Sequence, residues 1–154
     1  MNAGRALHAH LRSIPTRRGH TPHTAHFWST VGGLLRVAPA ALNALRLSPR
    51  DPFNAAAFAI IFLSYYFEHD YPQALEAARQ AISRYPNLPI GHRYLAASLG
   101  QLGRIDEAQE ALKRAIALSS EVIALNVRSR PPPWMLPDDH QNFMEGLRKA
   151  GWQG

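Results

Sequence analysis

The chain has 154 residues, 46% of them apolar, and a formal net charge of +6. This length suits one modest domain with its own core, and the lack of cysteine excludes disulfides and thiolate metal sites. The longest apolar run is much shorter than the roughly 20 residues that a membrane-spanning helix needs, so we expect a cytoplasmic protein without a membrane partner.

The positive charge comes from the start of the chain. Residues 1–50 contain seven arginines and no acidic residue, whereas residues 51–154 contain ten basic and eleven acidic residues. The high pI therefore describes the beginning of the sequence and not the remaining surface. For this reason we do not expect a nucleic-acid partner.

The leader, residues 1–36, is basic and rich in histidine, and Pro15, Gly19 and Pro22 interrupt it. Such a segment cannot bury enough apolar area to form a domain, so we expect a disordered extension. Metal binding is the alternative interpretation of its five histidines, which are His8, His10, His20, His23 and His26. Thr21-Pro22 breaks any helix that would align them, so we predict neither a metal site nor another cofactor.

Residues 37–52 are predicted to be the second helix of an incomplete repeat. Three of its positions lie 34 residues before a matching position: Ala44, Leu47 and Pro52 precede Ala78, Ala81 and Pro86. The first helix of this repeat is not recognisable, so we expect an uncovered apolar edge that promotes self-association. The side chains predicted to form this edge are those of Leu34, Leu35, Val37 and Leu42.

Two complete repeats are predicted over residues 55–88 and 89–122. Small residues recur in them at a spacing of 34, since Ala74 matches Ala108 and Ala81 matches Ala115. Each repeat is expected to be a pair of helices, because small side chains allow two helices to approach closely where they cross. The predicted packing residues are Phe58, Tyr65, Ala74, Ala81, Leu95, Ala108 and Ala115.

Residues 123–154 are predicted to form a proline-rich connection and a capping helix. Ser119 or Ser120 is expected to start a short helix that ends before the three prolines at 131–133. The last helix should begin at Pro137 and stop at Gly151. Its apolar face contains Phe143, Leu147 and Ala150.

The spacing of 34 with alanines at fixed positions resembles the tetratricopeptide (TPR) repeat family. This resemblance implies an all-α fold, in which antiparallel helix pairs stack into a right-handed solenoid that a C-terminal helix caps. The repeat motif is common, and by itself it specifies only a scaffold.

Two segments make the resemblance more specific: Leu-Ser-Pro-Arg-Asp-Pro at 47–52 and Glu-Gly-Leu-Arg-Lys-Ala-Gly at 145–151. From about residue 38 onward, the chain resembles the C-terminal TPR tail of bacterial proteins that carry a class III adenylate/guanylate cyclase domain, or a winged-helix regulator domain, further upstream. The resemblance implies the tail of a signalling protein and not its catalyst. The residues agree, because no nucleophile, base and orienting group are found together and no phosphate-binding loop is present.

The best candidate binding surface is the concave face that repeat proteins build from their first helices. Its predicted residues are Ala59, Leu63, Tyr66, Arg93, Tyr94, Ala97 and Gln101. TPR proteins that bind a C-terminal carboxylate resemble one another in having polar residues at the positions that correspond to Ala59 and Leu63 in this sequence. We therefore expect a mostly apolar groove with Arg93 as its one charge. The alternative is that these side chains simply cover the next helix, because apolar stripes are usually core.

The sequence thus predicts a non-catalytic module that binds a protein or peptide, or that docks within its own larger protein. A second interpretation is a remnant of a cyclase-type protein that lost its catalytic domain and has no independent activity. The DNA upstream of Met1 would distinguish the two. A third interpretation is a nucleic-acid-associated protein, which should bind in a salt-dependent way through residues 1–36.

Overall fold

The computed structural model describes residues 38–49, 51, 54–127 and 135–153, and over these residues it is helical without any strand. The helices are α1 (38–47), α2 (Asn54–Phe67), α3 (Tyr71–Arg84), α4 (Pro89–Gln101), α5 (Ile105–Val127) and α6 (Pro137–Lys149). The predicted all-α class is confirmed. The leader with its histidines, and most of the proline-rich connection, lie outside the described residues.

The centre of the fold is α4, which packs against α2, α3, α5 and α6. Its neighbour α2 is apolar almost all round, and its residues 61–67 are all buried. A helix with this composition must be covered on several sides. By contrast, α3 and α5 place alanines on one face and charged side chains on the other, as expected of helices at the outside of a bundle.

The predicted packing residues lie in this core. Tyr65 and the four alanines at 74, 81, 108 and 115 are each at most 1% exposed. Phe58 and Leu95 are half-buried at its edge. Phe58 meets the ring of Tyr85 edge-on, with the ring centroids 6.3 Å apart. Small side chains therefore occupy the tightest positions and large ones fill the space between helices.

The turn between α2 and α3 is repeated between α4 and α5. In the first turn His69 N donates to Tyr66 O and Asp70 N to Tyr65 O, at 3.0 and 2.9 Å. The equivalent two bonds recur one repeat period of 34 residues later: Gly103 N donates to Gly100 O, and Arg104 N donates to Leu99 O. His69 and Gly103 both have a left-handed backbone, with φ of 63° and 74°. Short turns of this kind commonly join antiparallel helices.

The left-handed turn gives a first prediction. Gly103→Ala should lower the free energy of unfolding by about 1 kcal/mol, because a Cβ is disfavoured at this φ although nothing lies within 4 Å of it. His69→Gly should raise the same quantity by a smaller amount, since it removes the strain but also the stacking of His69 on Tyr71. Urea denaturation of both variants measures the two effects. A neutral Gly103→Ala would contradict the left-handed turn.

The register predicted for α1 is wrong. Ala44 is exposed and Leu47 is 76% exposed, whereas the buried residues are Ala38, Ala41 and Leu42. These three precede the buried residues Ala74, Ala77 and Ala78 by 36 positions, not 34. The reason is the connection from α1 to α2, which is two residues longer than the connection from α3 to α4.

The predicted N-terminal edge is affected as well. Leu42 is 7% exposed and belongs to the main core, so it does not form the uncovered surface that was expected. Leu34, Leu35 and Val37 lie outside the described residues. Self-association through this edge therefore stays a prediction without Leu42 in it.

The connection after α1 is held by side chains from two helices. Asn54 Nδ2 donates to Ser48 O at 2.7 Å, and Arg84 donates to Pro49 O at 2.6 Å. The hydroxyl of Tyr85 donates to Asp51 O at 3.4 Å. Carbonyl groups outside a helix need such donors when they lie against the protein. This part of the Leu-Ser-Pro-Arg-Asp-Pro segment thus joins α1 to the start of α2 and the end of α3.

Helix α5 contains the break that the sequence predicts. The backbone at Ser119 is extended, with φ −167° and ψ 69°, and helical geometry resumes after it as far as Val127. The last helix, α6, begins at Pro137 as predicted, and the chain leaves it through Gly151 at φ 95°. Phe143, Leu147 and Ala150 on its apolar face are each at most 4% exposed.

Candidate functional site

The residues predicted to line the groove belong to α2 and α4, and most of them are buried. Tyr66, Tyr94 and Ala97 are at most 3% exposed, whereas Leu63 and Arg93 are 8% and 9% exposed. Ala59 and Gln101 are half-buried. Tyr66, Tyr94, Ala97 and Gln101 are in contact with α6. The chain's own C-terminal helix therefore covers much of the predicted groove.

Helix α6 does not occupy the position that the next helix of a repeat stack would occupy. It packs extensively on α4 and only slightly on α5, the helix that precedes it in the chain. By contrast, α4 packs extensively on its predecessor α3 and less on α2. A helix that continued the stack would repeat this second pattern. Instead, α6 lies on the side of α4 that carries Tyr94, Ala97 and Gln101.

Two glycines allow α6 to approach α4 at backbone distance. A Cβ atom placed on Gly146 would lie 2.7 Å from Ala97 O and 2.9 Å from the hydroxyl oxygen of Tyr66. A Cβ atom on Gly100 would clash with the carbonyl oxygen of Gly146. Because real Cβ atoms do not come so close to backbone atoms, only glycine fits either position without a shift of the helices.

Phe143 is the main apolar contact of α6. Its ring stacks on Tyr94 with centroids 4.7 Å apart and meets Tyr66 nearly at right angles at 6.1 Å. Tyr66 and Tyr94 also contact each other edge-on at 5.2 Å. Aromatic pairs in these geometries contribute about 0.5–1.5 kcal/mol beyond the area they bury. The two groove tyrosines thus form the pocket in which Phe143 sits.

Asn142 is the polar centre of the contact. Its Oδ1 atom accepts hydrogen bonds from Tyr71 at 3.0 Å and from Gln101 at 2.8 Å. Its backbone oxygen accepts from Gln101 at 2.9 Å and from Tyr66 at 3.3 Å. Lys149 donates to Gln101 Oε1 at 2.9 Å. The Nδ2 group of Asn142 is buried without a hydrogen-bond partner, so the polar contact is incomplete.

Two adjacent tyrosines give a second, matched prediction. Tyr65 has a buried hydroxyl without a hydrogen-bond partner, and burial, with a smaller effect of Asp70, raises its pKa to about 12. Tyr65→Phe should therefore raise the free energy of unfolding by about 1 kcal/mol. Tyr66→Phe should lower it by about 1 kcal/mol, because the hydroxyl of Tyr66 donates to Asn142 O. Thermal denaturation of the pair tests this opposite sign, and effects of equal sign would contradict the assigned hydrogen bonds.

Arg93 is the charged side chain of the groove. It is 9% exposed, and its Nε atom has no hydrogen-bond partner among the residues that the structure describes. Burial lowers the pKa of its guanidinium group from the usual value. Among the described residues no carboxylate forms an ion pair with Arg93, and a buried cation of this kind is able to accept an anionic partner.

Asp139 is a buried carboxylate at the start of α6, with 5% of its surface exposed. Burial, together with the nearby charges of Asp138 and Glu68, raises its pKa to about 6. The native state therefore holds a proton on Asp139 at pH values where the unfolded chain has released it. Consequently, the stability contributed by the protonated group is lost as the pH rises from about 4 to 6.

Asp139→Asn tests this third prediction, because the amide keeps the shape and removes the charge. Between about pH 4 and pH 7, the unfolding free energy of the unmodified protein should fall by about 2 kcal/mol more than that of the variant. Other carboxylates titrate in both proteins and cancel in the difference. Parallel pH profiles of the two unfolding free energies would show that Asp139 has an ordinary pKa.

Asn142, Gly100 and Gly146 belong to this surface but are not among the groove residues predicted from the sequence. Asn142 gave no signal, since an asparagine in a short helix is unremarkable. Glycine in the interior of a helix is unfavourable and often marks a close backbone approach, so Gly100 and Gly146 carried a usable signal. What the pattern lacked was the identity of the partner helix.

Within the described part of the chain, no three histidine, aspartate or glutamate side chains are grouped so that they could hold a metal ion. None of the described helices is long and apolar enough to cross a membrane. The chain matches no protein-family model, no curated protein and no solved structure.

Proposed function

We propose that the protein is a non-catalytic helical-repeat module of the TPR type that binds a protein or peptide. The observation that carries this proposal is one turn that recurs at a spacing of 34 residues. Both copies have the same pair of backbone hydrogen bonds, and in both the middle residue, His69 or Gly103, has a left-handed backbone. The alanines that recur at this spacing are fully buried, which supports the same repeat. Stacked helix pairs of this kind serve as scaffolds for binding.

The binding surface is the inner face of α2 and α4. This face presents the rings of Tyr66 and Tyr94, the small side chain of Ala97 and the amide of Gln101, and α6 already occupies it by contacts with each of them. A surface that accommodates one helix through aromatic, backbone and amide contacts is suited to helical segments in general. The module would be the C-terminal tail of a bacterial signalling protein, and this surface would be the part of the tail that binds.

A non-catalytic role is consistent with the shifted pKa values. In the described residues the shifts of Tyr65, Tyr66, Tyr94, Arg93 and Asp139 all have burial as their largest cause. A catalytic site also needs a cleft in which a nucleophile, a base and an orienting group meet. Burial within a core fits packing residues better than it fits an active site.

A second candidate is a remnant of a cyclase-type protein that has no independent activity. The observation in its favour is that α6 covers the inner face, which leaves much of this face inaccessible to a partner. Both candidates share the fold, and they differ only in whether a partner reaches the groove.

Site-specific photo-cross-linking tests the proposed function. A benzophenone amino acid is introduced at Ala59 or Gln101, which are half-buried groove residues, and at Lys113 on the exposed face of α5 as a control. In the native cell we expect the same protein to be linked at both groove positions and not at the control position. Linkage that does not depend on position, or none at the groove, would favour the remnant.

A further inference from the structure

The contacts of α6 have the character of a bound ligand. They connect α6 to the end of α2, the first residue of α3 and the length of α4, while contact with the preceding α5 is slight. The connecting residues 128–134 contain three consecutive prolines. Nearly all of the contact surface could therefore be supplied by a separate helix.

The groove selects a definite pattern of side chains. Phe143 fills the tyrosine pocket, Gly146 meets the backbone at Ala97, and Leu147 is fully buried. These residues stand at positions i, i+3 and i+4, so they lie on one face of the helix. The opposite face of α6 is polar and exposed, at Gln141, Glu145 and Arg148.

The covered state leaves several polar groups unsatisfied. Five buried side-chain atoms of the described residues lack a hydrogen-bond partner, and two of them, Asn142 Nδ2 and Trp152 Nε1, belong to α6 or the residues just after it. Buried polar groups without partners weaken the contact that buries them. A partner helix that lacks these two groups would avoid this cost.

We propose that the groove recognises an amphipathic helix with an aromatic residue, a glycine and a leucine at positions i, i+3 and i+4, and that α6 is an autoinhibitory copy of this ligand, which the partner displaces. This inference rests on the proposed function, since it concerns the same groove. It goes further in naming the class of partner and the element that competes with it. A partner helix without the unsatisfied groups of Asn142 and Trp152 is favoured over α6.

The test uses the full chain and a fluorescent peptide with the sequence of residues 135–153. In the unmodified protein the tethered α6 has an effective concentration in the millimolar range, so the peptide should not bind measurably at tens of micromolar. In the full-length Gly146→Leu variant the tethered helix no longer fits, and the peptide, which keeps its glycine, should bind at least about 100-fold more tightly. A peptide that itself carries Gly146→Leu should bind neither protein.

Equal binding of the peptide to both proteins would overturn the proposal, and so would no binding to a Gly146→Leu variant that keeps the helicity of α2–α5. Hydrogen exchange on the unmodified chain provides a second test that needs no substitution. The amides of α6 should exchange as a group at least about tenfold faster than those of α4, because α6 opens without unfolding the rest. Exchange of α6 and α4 at one rate would overturn displacement.

Two further outcomes would identify the occupant of the groove and separate the two proposals. A concentration-dependent dimer of the unmodified protein that exchanges α6 between copies would overturn a separate partner, because a second copy would then be the occupant. Peptide binding as expected, without a groove-specific cross-link in cells, would support the groove and its competition with α6 while contradicting the proposed cellular function. The two proposals can therefore fail independently.

Discussion

Gly146→Leu is expected to separate α6 from α4 and to lower the free energy of unfolding by about 3 kcal/mol. The introduced side chain would project into Ala97 and the hydroxyl of Tyr66, where a Cβ alone would already lie within 3 Å of both. Neither backbone oxygen nor a buried tyrosine is free to move away. Urea denaturation measures the loss of stability, and tyrosine and tryptophan fluorescence reports the changed packing around α6.

Arg148→Leu is the matched control, because it introduces the same side chain on the exposed face of the same helix. It should change the unfolding free energy by less than about 0.5 kcal/mol. Equal effects of the two substitutions would mean that leucine disturbs α6 by its helix propensity or solubility and not at the glycine contact.

Ala108→Leu is the other substitution with a large expected effect. Ala108 is fully buried on the face of α5 that packs against α4, and its counterpart Ala74 is buried in the same way one period earlier. Additional methylene groups have no space there, so we expect a loss of about 1–3 kcal/mol of unfolding free energy. This would be a large share of the total stability of a domain of this size.

Lys113→Leu provides the comparison for Ala108, because its side chain is 71% exposed on the same helix and only makes a surface ion pair with Glu110. Such pairs contribute little to stability, so the control should be nearly neutral. A melting temperature of Ala108→Leu equal to that of the control would remove Ala108 from the helix contact and with it the repeat register.

The sequence was sufficient for the helices that the repeat determines. The three-residue turns at 68–70 and 102–104, the break at Ser119 and the glycine that ends α6 all follow from local chemistry. Turn residues, caps and small residues act within a few positions of the chain. For that reason their effects can be read without knowing the fold.

The sequence did not predict features that depend on the length of a connection or on contacts between residues far apart in the chain. The register of α1 differs because two additional residues in the following connection lengthen the spacing of equivalent positions to 36, and connection length is not encoded in a periodic pattern. The location of α6 depends on contacts between residues such as Tyr66 and Asn142, which are 76 positions apart. An amphipathic helix shows which face is buried, but not which surface buries it.

The central claim is that α6 lies on the side of α4 that carries Tyr94 and Ala97, where a helical ligand would bind. Nuclear Overhauser effects in the full-length protein test it most directly. We predict cross-peaks between the rings of Phe143 and Tyr94, whose centroids are 4.7 Å apart, and between the α protons of Gly146 and Ala97. Absence of both, with cross-peaks from Phe143 to side chains of α5 instead, would place α6 at the end of the stack and contradict the claim.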